Sequence, residues 1–543
     1  MTKSQTYTLE SIQSFTGKYP VQLWYLFLIE MWERFTFYGM RALLTLYISH
    51  LILSNGYVQL PENELKEAKI RFESTTKETL SPSHPRYYIE TSNREARNKA
   101  ESTSNRRYGT IQAFIYAMAF LGGLLADRIF GSRRSVIWGG CLMAIGTFLM
   151  AVPGAFTFYL GISILIVGNG FFKPNISTMV GALYKPGDGR RDAGFSLFYA
   201  GINAGALLSG LTIAYLGTSV SWSLGFALAG VFMVLGLGLF FFTQRTLGPI
   251  GLSPNPEKLN SNTILYYGST LGLVPLFFVL VYYPFDIEVG NFTLVFTDLI
   301  FLVAAVVIIS YIFWQIRLSP KDEANKLTVA SVLILFSALF WSFFEQGGGS
   351  LNFFAVGNVN SQGWNMTQVN NSINALWVIL LGTPIGLFWV WLNRRGSEPN
   401  LIVKFGLGFL FLGAGFLIFY VSRFFADSEG MVPLLIFVSA YLIITIGELC
   451  LSPIGLSMVT KLTPARLNGV MMGTWFLASA YGQYGAGLIG AALGDSGSLD
   501  SSNYAKLIAY TDGYRNIGLI AICAGLILIL ISPFLKRMMG GVR

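Results

Sequence analysis

The chain has 543 residues, of which 53% are hydrophobic and 15% aromatic, with only 12% charged. No soluble globular domain of this size is so apolar, so the composition places the chain in a membrane. The formal net charge of +9 suggests a nucleic-acid partner only until the positions of the charges are examined.

Residues 1–20 are polar and show no cleavage pattern after a short apolar core, so the first apolar segment reads as a retained membrane span and 1–20 as a tail. That segment, from Val21 to about Leu53, carries Glu30, Glu33, Arg34 and Arg41. At helical spacing Glu30, Arg34, Phe37, Tyr38 and Arg41 share one side, and an acid and a guanidinium at i and i+4 can pair. Each charge at the centre of a membrane helix costs about 3 kcal/mol on insertion scales. The face that bears them is expected to turn toward protein or a water-filled cavity.

A polar loop, Ser54–Arg107, follows; it mixes both signs of charge, holds Pro61, Pro82 and Pro85, and reads as an outer excursion, a solvated spacer more than a lid or partner-binding module, with helix near Glu62–Phe72 and again toward Arg107. Apolar windows then recur at about 108–127, 135–152, 158–183, 194–216 and 222–243, which completes a six-helix bundle over 21–243. Two more windows, at about 263–284 and 293–316, fall in a linker over 244–326. Six others, at about 327–356, 369–392, 401–422, 431–460, 468–494 and 515–535, form a second bundle over 327–535, before a tail at 536–543. The prediction is an all-α polytopic membrane protein of 14 helices, arranged as six, two and six. Two bundles predict internal symmetry, and the basic turns Asp127-Arg-Ile-Phe-Gly-Ser-Arg-Arg134 and Asn393-Arg-Arg-Gly396 follow corresponding helices.

Orientation follows from lysine and arginine. With the amino terminus inside, twenty-one of the 37 fall in inner loops and tails, three in short outer loops, ten in Ser54–Arg107 and three within spans. Both termini are therefore expected in the cytoplasm, and the positive charge needs no nucleic-acid partner. Cys141, Cys450 and Cys523 all lie in apolar segments, which argues against disulfides. Two histidines, His50 and His84, are too few for a histidine metal site, and no metal or organic cofactor is expected.

Three further charges interrupt apolar segments. Lys173 follows Gly168-Asn169-Gly170; with no strand before it this is not a phosphate loop, and the glycines read as close helix packing ahead of a kink at Pro174. Glu345 precedes three glycines, which suits a span that bends. Glu448 stands just ahead of Ser452-Pro453. Exposing all seven intramembrane charges to lipid would cost on the order of 20 kcal/mol. They are expected to converge on one interior chamber, and the near balance of acids and bases suits a zwitterionic solute.

Glu30-x-x-Glu33-Arg34-Phe35-x-x-Tyr38-Gly39-Met40-Arg41 closely resembles the signature of the proton-coupled oligopeptide transporter (POT/PTR) family of the major facilitator superfamily. So do Gly168-x-Gly170-x-x-Lys173-Pro174-Asn175, Asp192–Ser196, Gly201-Ile202-Asn203-x-Gly205-Ala206, Phe340-Trp341 with Glu345-Gln346, and Gly447-Glu448-x-x-x-Ser452-Pro453-x-Gly455-Leu456. The resemblance runs from about residue 20 to the end, and the two extra helices resemble those of bacterial members. It implies a major facilitator fold and a proton-coupled symporter carrying di- and tripeptides across the bacterial inner membrane, acting as a monomer, with protons as coupling ion. By this resemblance Glu30, Glu33 and Arg34 couple protonation to movement. Arg34 and Lys173 hold the peptide carboxylate, Glu448 with Asn203 and Asn374 its amino end, and Tyr38, Tyr116 and Trp475 line the cavity. Arg41 with Glu345 and Lys173 with Glu448 form gating salt bridges. Phe37 stands where the family has Tyr, so a hydroxyl contact is missing there, and Ala375 stands where it has Pro. The rival readings are transport of another small solute such as an amino acid, nitrate or peptide-like drug, and a non-transporting receptor. No Gly-x-Ser-x-Gly, His-Glu-x-x-His or paired-cysteine pattern supports an enzyme.

Overall fold

The computed structural model describes residues 7–283, 286–289, 292–451, 455–495 and 503–540. In chain order the helices are α1 (Leu9–Gln13), α2 (Val21–Asn55), α3 (Glu62–Thr76), α4 (Tyr87–Thr91), α5 (Arg94–Leu125), α6 (Ser132–Ala151), α7 (Ala155–Ala182), α8 (Arg190–Ser209), α9 (Trp222–Thr243), α10 (Pro256–Ser261), α11 (Thr263–Leu271) and α12 (Leu273–Tyr282). A hairpin of β1 (Asp286–Val289) and β2 (Phe292–Val295) follows, antiparallel with Asp286 opposite Val295. Then come α13 (Phe296–Leu318), α14 (Lys321–Phe344), α15 (Ser350–Asn358), α16 (Met366–Arg394), α17 (Leu401–Val421), α18 (Leu434–Leu451), α19 (Gly455–Leu462), α20 (Asn468–Asp495) and α21 (Asn503–Met538).

Among the described residues thirteen helical segments are long and apolar enough to span a membrane, which establishes the all-α multi-pass class. The fourteenth expected segment, 468–494, is the 28-residue α20. Its glycines, with Thr474, Ser479 and Gln483, make it less apolar than the others. The bend expected beyond Glu345 is present: α14 ends in a tight 3-10 turn at Glu345–Gly348, and Gly349 adopts φ −106°, ψ −112° before α15 begins. The three cysteines are free thiols.

The chain divides into two compact units, Met1–Leu44 with Phe114–Tyr283, and Thr45–Ala113 with Pro284–Arg543. In the first, α6 packs along α7 through a seam of glycines. A Cβ on Gly146 would stand 2.6 Å from the Gly161 carbonyl oxygen, and one on Gly168 2.7 Å from that of Gly139. Such backbone approach is what glycine permits between membrane helices, where dispersion rather than water exclusion holds the interface. In the second unit the same device recurs: a Cβ on Gly413 would lie 2.6 Å from the Gly518 oxygen of α21, and one on Gly447 2.7 Å from the Gly408 oxygen of α17.

The segment expected to be a solvated spacer is instead packed within the second unit. Leu60 donates its amide to the Thr91 carbonyl (3.0 Å) and Asn93 to that of Val58 (2.6 Å). Phe72, Leu80 and Ile89 are buried, Arg86 lies over the Phe72 ring at 5.0 Å, and Arg86 pairs with Glu90. A small core drawn from three short stretches of the loop, joined by an arginine stem over an aromatic face, gives order that local composition does not reveal. The start of α5 is fixed in turn. Asn105 donates to the Gly490 carbonyl of α20 (3.2 Å), and Glu101, 4% exposed, pairs with Lys506 and accepts from the Tyr510 hydroxyl (3.0 Å).

Candidate functional site

Within the first unit α2 pairs Glu30 with Arg34, as their i, i+4 spacing predicts, and adds Glu33, which that spacing did not place on the same side. Arg34 Nε lies 2.9 Å from Glu30 Oε1 and 2.5 Å from Glu33 Oε2, and the three residues are 2%, 0% and 2% exposed in the order Glu30, Glu33, Arg34. One guanidinium thus holds two carboxylates, in a setting where losing one partner of a buried pair costs about 3–5 kcal/mol. The Phe37 ring, almost wholly buried, caps the Arg34 guanidinium at 5.3 Å. That fits an apolar residue where the family has a phenol, because a cation over a ring face needs no hydroxyl.

Lys173 enters the cluster from α7. Its ammonium sits 3.9 Å from the centroid of Tyr116 on α5, and it acts electrostatically on both Glu30 and Glu33. Two acids and two bases therefore balance, with Tyr116 as aromatic wall. Tyr38 is half-buried, with the Arg41 guanidinium 5.9 Å from its ring. Asn203 on α8 is buried and donates to the Tyr199 carbonyl of its own helix at 3.0 Å.

The glycines around Lys173 are packing residues, as expected. Besides the Gly168 contact, a Cβ on Gly170 would come within 2.7 Å of the Met118 carbonyl oxygen on α5. The residue between them does more than pack. Asn169 is fully buried and donates from Nδ2 to Glu33 Oε1 at 3.0 Å. Sequence reading passed over it as part of a small-residue segment, although an amide inside an apolar helix needs a partner.

In the second unit Asn374 of α16 donates to Glu448 Oε2 of α18 at 2.9 Å and to Thr445 Oγ1 at 3.1 Å. The polar chain continues through residues the sequence reading did not select. The Tyr441 hydroxyl donates to Asn370 Oδ1 (2.6 Å), and Asn370 Nδ2 donates to the Gly347 carbonyl (2.8 Å) in the turn that begins with Glu345. A signal existed: Asn370 and Asn374 stand at i and i+4 in an apolar helix, and Tyr441, Thr445 and Glu448 at i, i+4 and i+7 in another. Glu345 is 4% exposed, and Trp475 is half-buried on α20. Ser452 and Pro453 lie outside the described residues. Among the described residues no group of His, Cys, Asp and Glu could hold a metal ion.

Each unit thus carries buried ionisable groups linked by short polar contacts, and protonating an acid in such a set releases its basic or amide partner. The model of the POT family matches residues 133–499. A peptide transporter of Yersinia enterocolitica, YePEPT, is 33% identical over 541 residues that cover 96% of each chain. A crystal structure of a peptide transporter POT in complex with sulfate superposes with a TM-score of 0.74 at 32% identity, over 97% of this chain and 98% of the other. A POT family transporter in complex with a thioalcohol-conjugated peptide gives 0.74 at 28% identity, over 98% and 100%.

Proposed function

The chain belongs to the POT family, and from that premise we propose that it is a proton-coupled symporter that imports di- and tripeptides across the bacterial inner membrane by alternating access. It is a multi-pass membrane transporter and not an enzyme, and it needs no cofactor beyond the coupling proton. The observation that carries the reading is the buried set of Glu30, Glu33, Arg34 and Lys173 beneath Tyr116. Arg34 and Lys173 supply cationic donors for a peptide carboxylate, and the two glutamates compete for the same guanidinium. Protonating Glu33 weakens its hold on Arg34 and frees the guanidinium for the peptide, so proton and substrate favour each other's binding.

In this mechanism Glu448, oriented by Asn374, receives the peptide ammonium with Asn203, while Tyr38 and Trp475 line the chamber. Arg41 with Glu345 closes the outer side and Lys173 with Glu448 the inner side. Both termini face the cytoplasm, by the lysine and arginine bias, and the monomer is the working unit. A neutral zwitterion moving with one proton carries one net charge, worth about 2.3 kcal/mol per 100 mV. One pH unit adds roughly 1.4 kcal/mol, so a modest gradient sustains more than tenfold accumulation.

The test is uptake of a labelled dipeptide and a labelled tripeptide into proteoliposomes under an imposed inside-alkaline gradient, wild type beside Glu33→Gln. Accumulation by wild type and its loss in the variant are expected. Full accumulation by Glu33→Gln would remove the coupling role of that residue, and competition only by single amino acids or nitrate would change the substrate class.

A further inference from the structure

Asn169 occupies a mount that leaves its side chain little freedom except at the amide. Its two neighbours are clamped by backbone, Gly168 against α6 and Gly170 against α5, where an added Cβ would meet the Gly139 oxygen and the Met118 oxygen at 2.7 Å each. Between these clamps the fully buried side chain reaches α2, donating from Nδ2 to Glu33 Oε1 at 3.0 Å, with Met143 Sδ at 3.9 Å from the same nitrogen. Its Oδ1 has no hydrogen-bond partner among the described residues. A donor faces an acid that must alternate between carboxylate and carboxyl, and the acceptor half of the same amide is idle.

We propose that Asn169 is a positioning residue that partners Glu33 in both of its protonation states and so sets the pH at which uptake switches on. The inference rests on the coupling role given to Glu33 above. With Glu33 ionised, the amide donates to Oε1, as the geometry has it. When Oε1 takes a proton, its O–H becomes a donor and opposes the NH2 group. Half a turn about the last side-chain torsion of Asn169 presents Oδ1 as acceptor. A carboxamide is suited to this because its two ends have nearly the same shape and opposite hydrogen-bond character, so the exchange needs no movement of helix. The charges that bear on Glu33 are Glu30 and Arg34 on its own helix and Lys173 on α7, while the hydroxyls of Tyr38 and Tyr116 act on Arg34. Substituting Asn169 leaves all of these in place.

The experiment measures initial rates of labelled dipeptide uptake into proteoliposomes at fixed membrane potential across a series of external pH values. Wild type is set beside Asn169→Leu, which keeps the volume and loses both hydrogen-bond functions, and Asn169→Asp, which keeps the shape and loses the obligatory donor. The bond to the charged carboxylate is the stronger of the two, so losing both disfavours the ionised form by their difference, and the alkaline midpoint should move up by roughly half to one pH unit in the Leu variant, and further in the Asp variant where two acids share the site. In the Glu33→Gln background, where coupled uptake is already lost, adding Asn169→Leu should leave the pH dependence of peptide exchange unchanged. A residue that only packs would lower the rate without moving the midpoint, and an unmoved midpoint in either variant that still exchanges peptide overturns the inference. Should one variant not fold, the other carries the test. Wild type without gradient-driven uptake would instead remove the symport reading itself.

Discussion

Replacing Glu101 by Ala tests whether the start of α5 is fastened electrostatically to α21. The side chain is 4% exposed, pairs with Lys506, which keeps 21% side-chain exposure, and accepts from the Tyr510 hydroxyl at 3.0 Å. Losing one partner of a buried pair costs about 3–5 kcal/mol, and the residual exposure of Lys506 places this case at the lower end, about 3 kcal/mol. Tyr510, 1% exposed, loses its acceptor, which adds about 1 kcal/mol. Arg97 and Arg94 also act on Lys506 as like charges, which Glu101 no longer opposes in the variant. Thermal unfolding in detergent, followed by intrinsic fluorescence, should show a midpoint lowered by about 5 °C or more. The double variant Glu101→Ala with Lys506→Met should recover part of that loss, because no ammonium is then left alone. A single variant that melts with wild type, or a double variant less stable than the single, would refute the reasoning.

Gly168→Leu should prevent assembly of the first unit, since the new side chain meets backbone atoms of Gly139 and Met143 within 2.8 Å and neither can give way; loss of a monodisperse peak in size-exclusion chromatography is the readout. For Glu90, burial alone would raise the carboxyl, but Arg86 first, then Arg97 and Arg71, outweigh it and hold it below its ordinary value of 4.5. Its contribution to folding is therefore present above about pH 4.5 and lost as pH falls through the lower folded value. Amide exchange in α3 and α4 should accelerate on acidification below that range, and Arg86→Met should weaken this acid dependence, with Arg97 and Arg71 left to sustain the rest. Asn374→Leu strips Glu448 of its 2.9 Å donor and should raise the peptide KM by about tenfold with accumulation still driven by the gradient; an unchanged KM would take Asn374 out of the site.

The sequence was most readable where physics penalises the residue type. Charges in apolar helices are costly enough that Glu30, Glu33, Arg34 and Lys173 stand out without coordinates, and the glycines after Glu345 announce a break that the turn at Glu345–Gly348 supplies. The packed segment between α2 and α5 was illegible because its core joins Phe72, Leu80 and Ile89 from three separate stretches, none of them apolar by itself. Asn169 was missed for a related reason. Its partner Glu33 lies 136 residues away in the chain, and only the crossing of α2 with α7 makes an amide among glycines more than a packing residue. The polar chain from Glu448 to Gly347 was partly visible in the helical spacing of its asparagines, but which of them reaches the acid is decided by helix packing.

The central claim is that a proton and a peptide cross together, and charge movement tests it most directly. Proteoliposomes at equal pH on both sides receive a potential, inside negative, from a potassium gradient and valinomycin, and a neutral labelled dipeptide is offered outside. The account predicts accumulation above the external concentration that grows with the imposed potential, collapses with a protonophore, and vanishes in Glu33→Gln. Uptake that stops at equal concentrations, and is indifferent to both potential and protonophore, would contradict it.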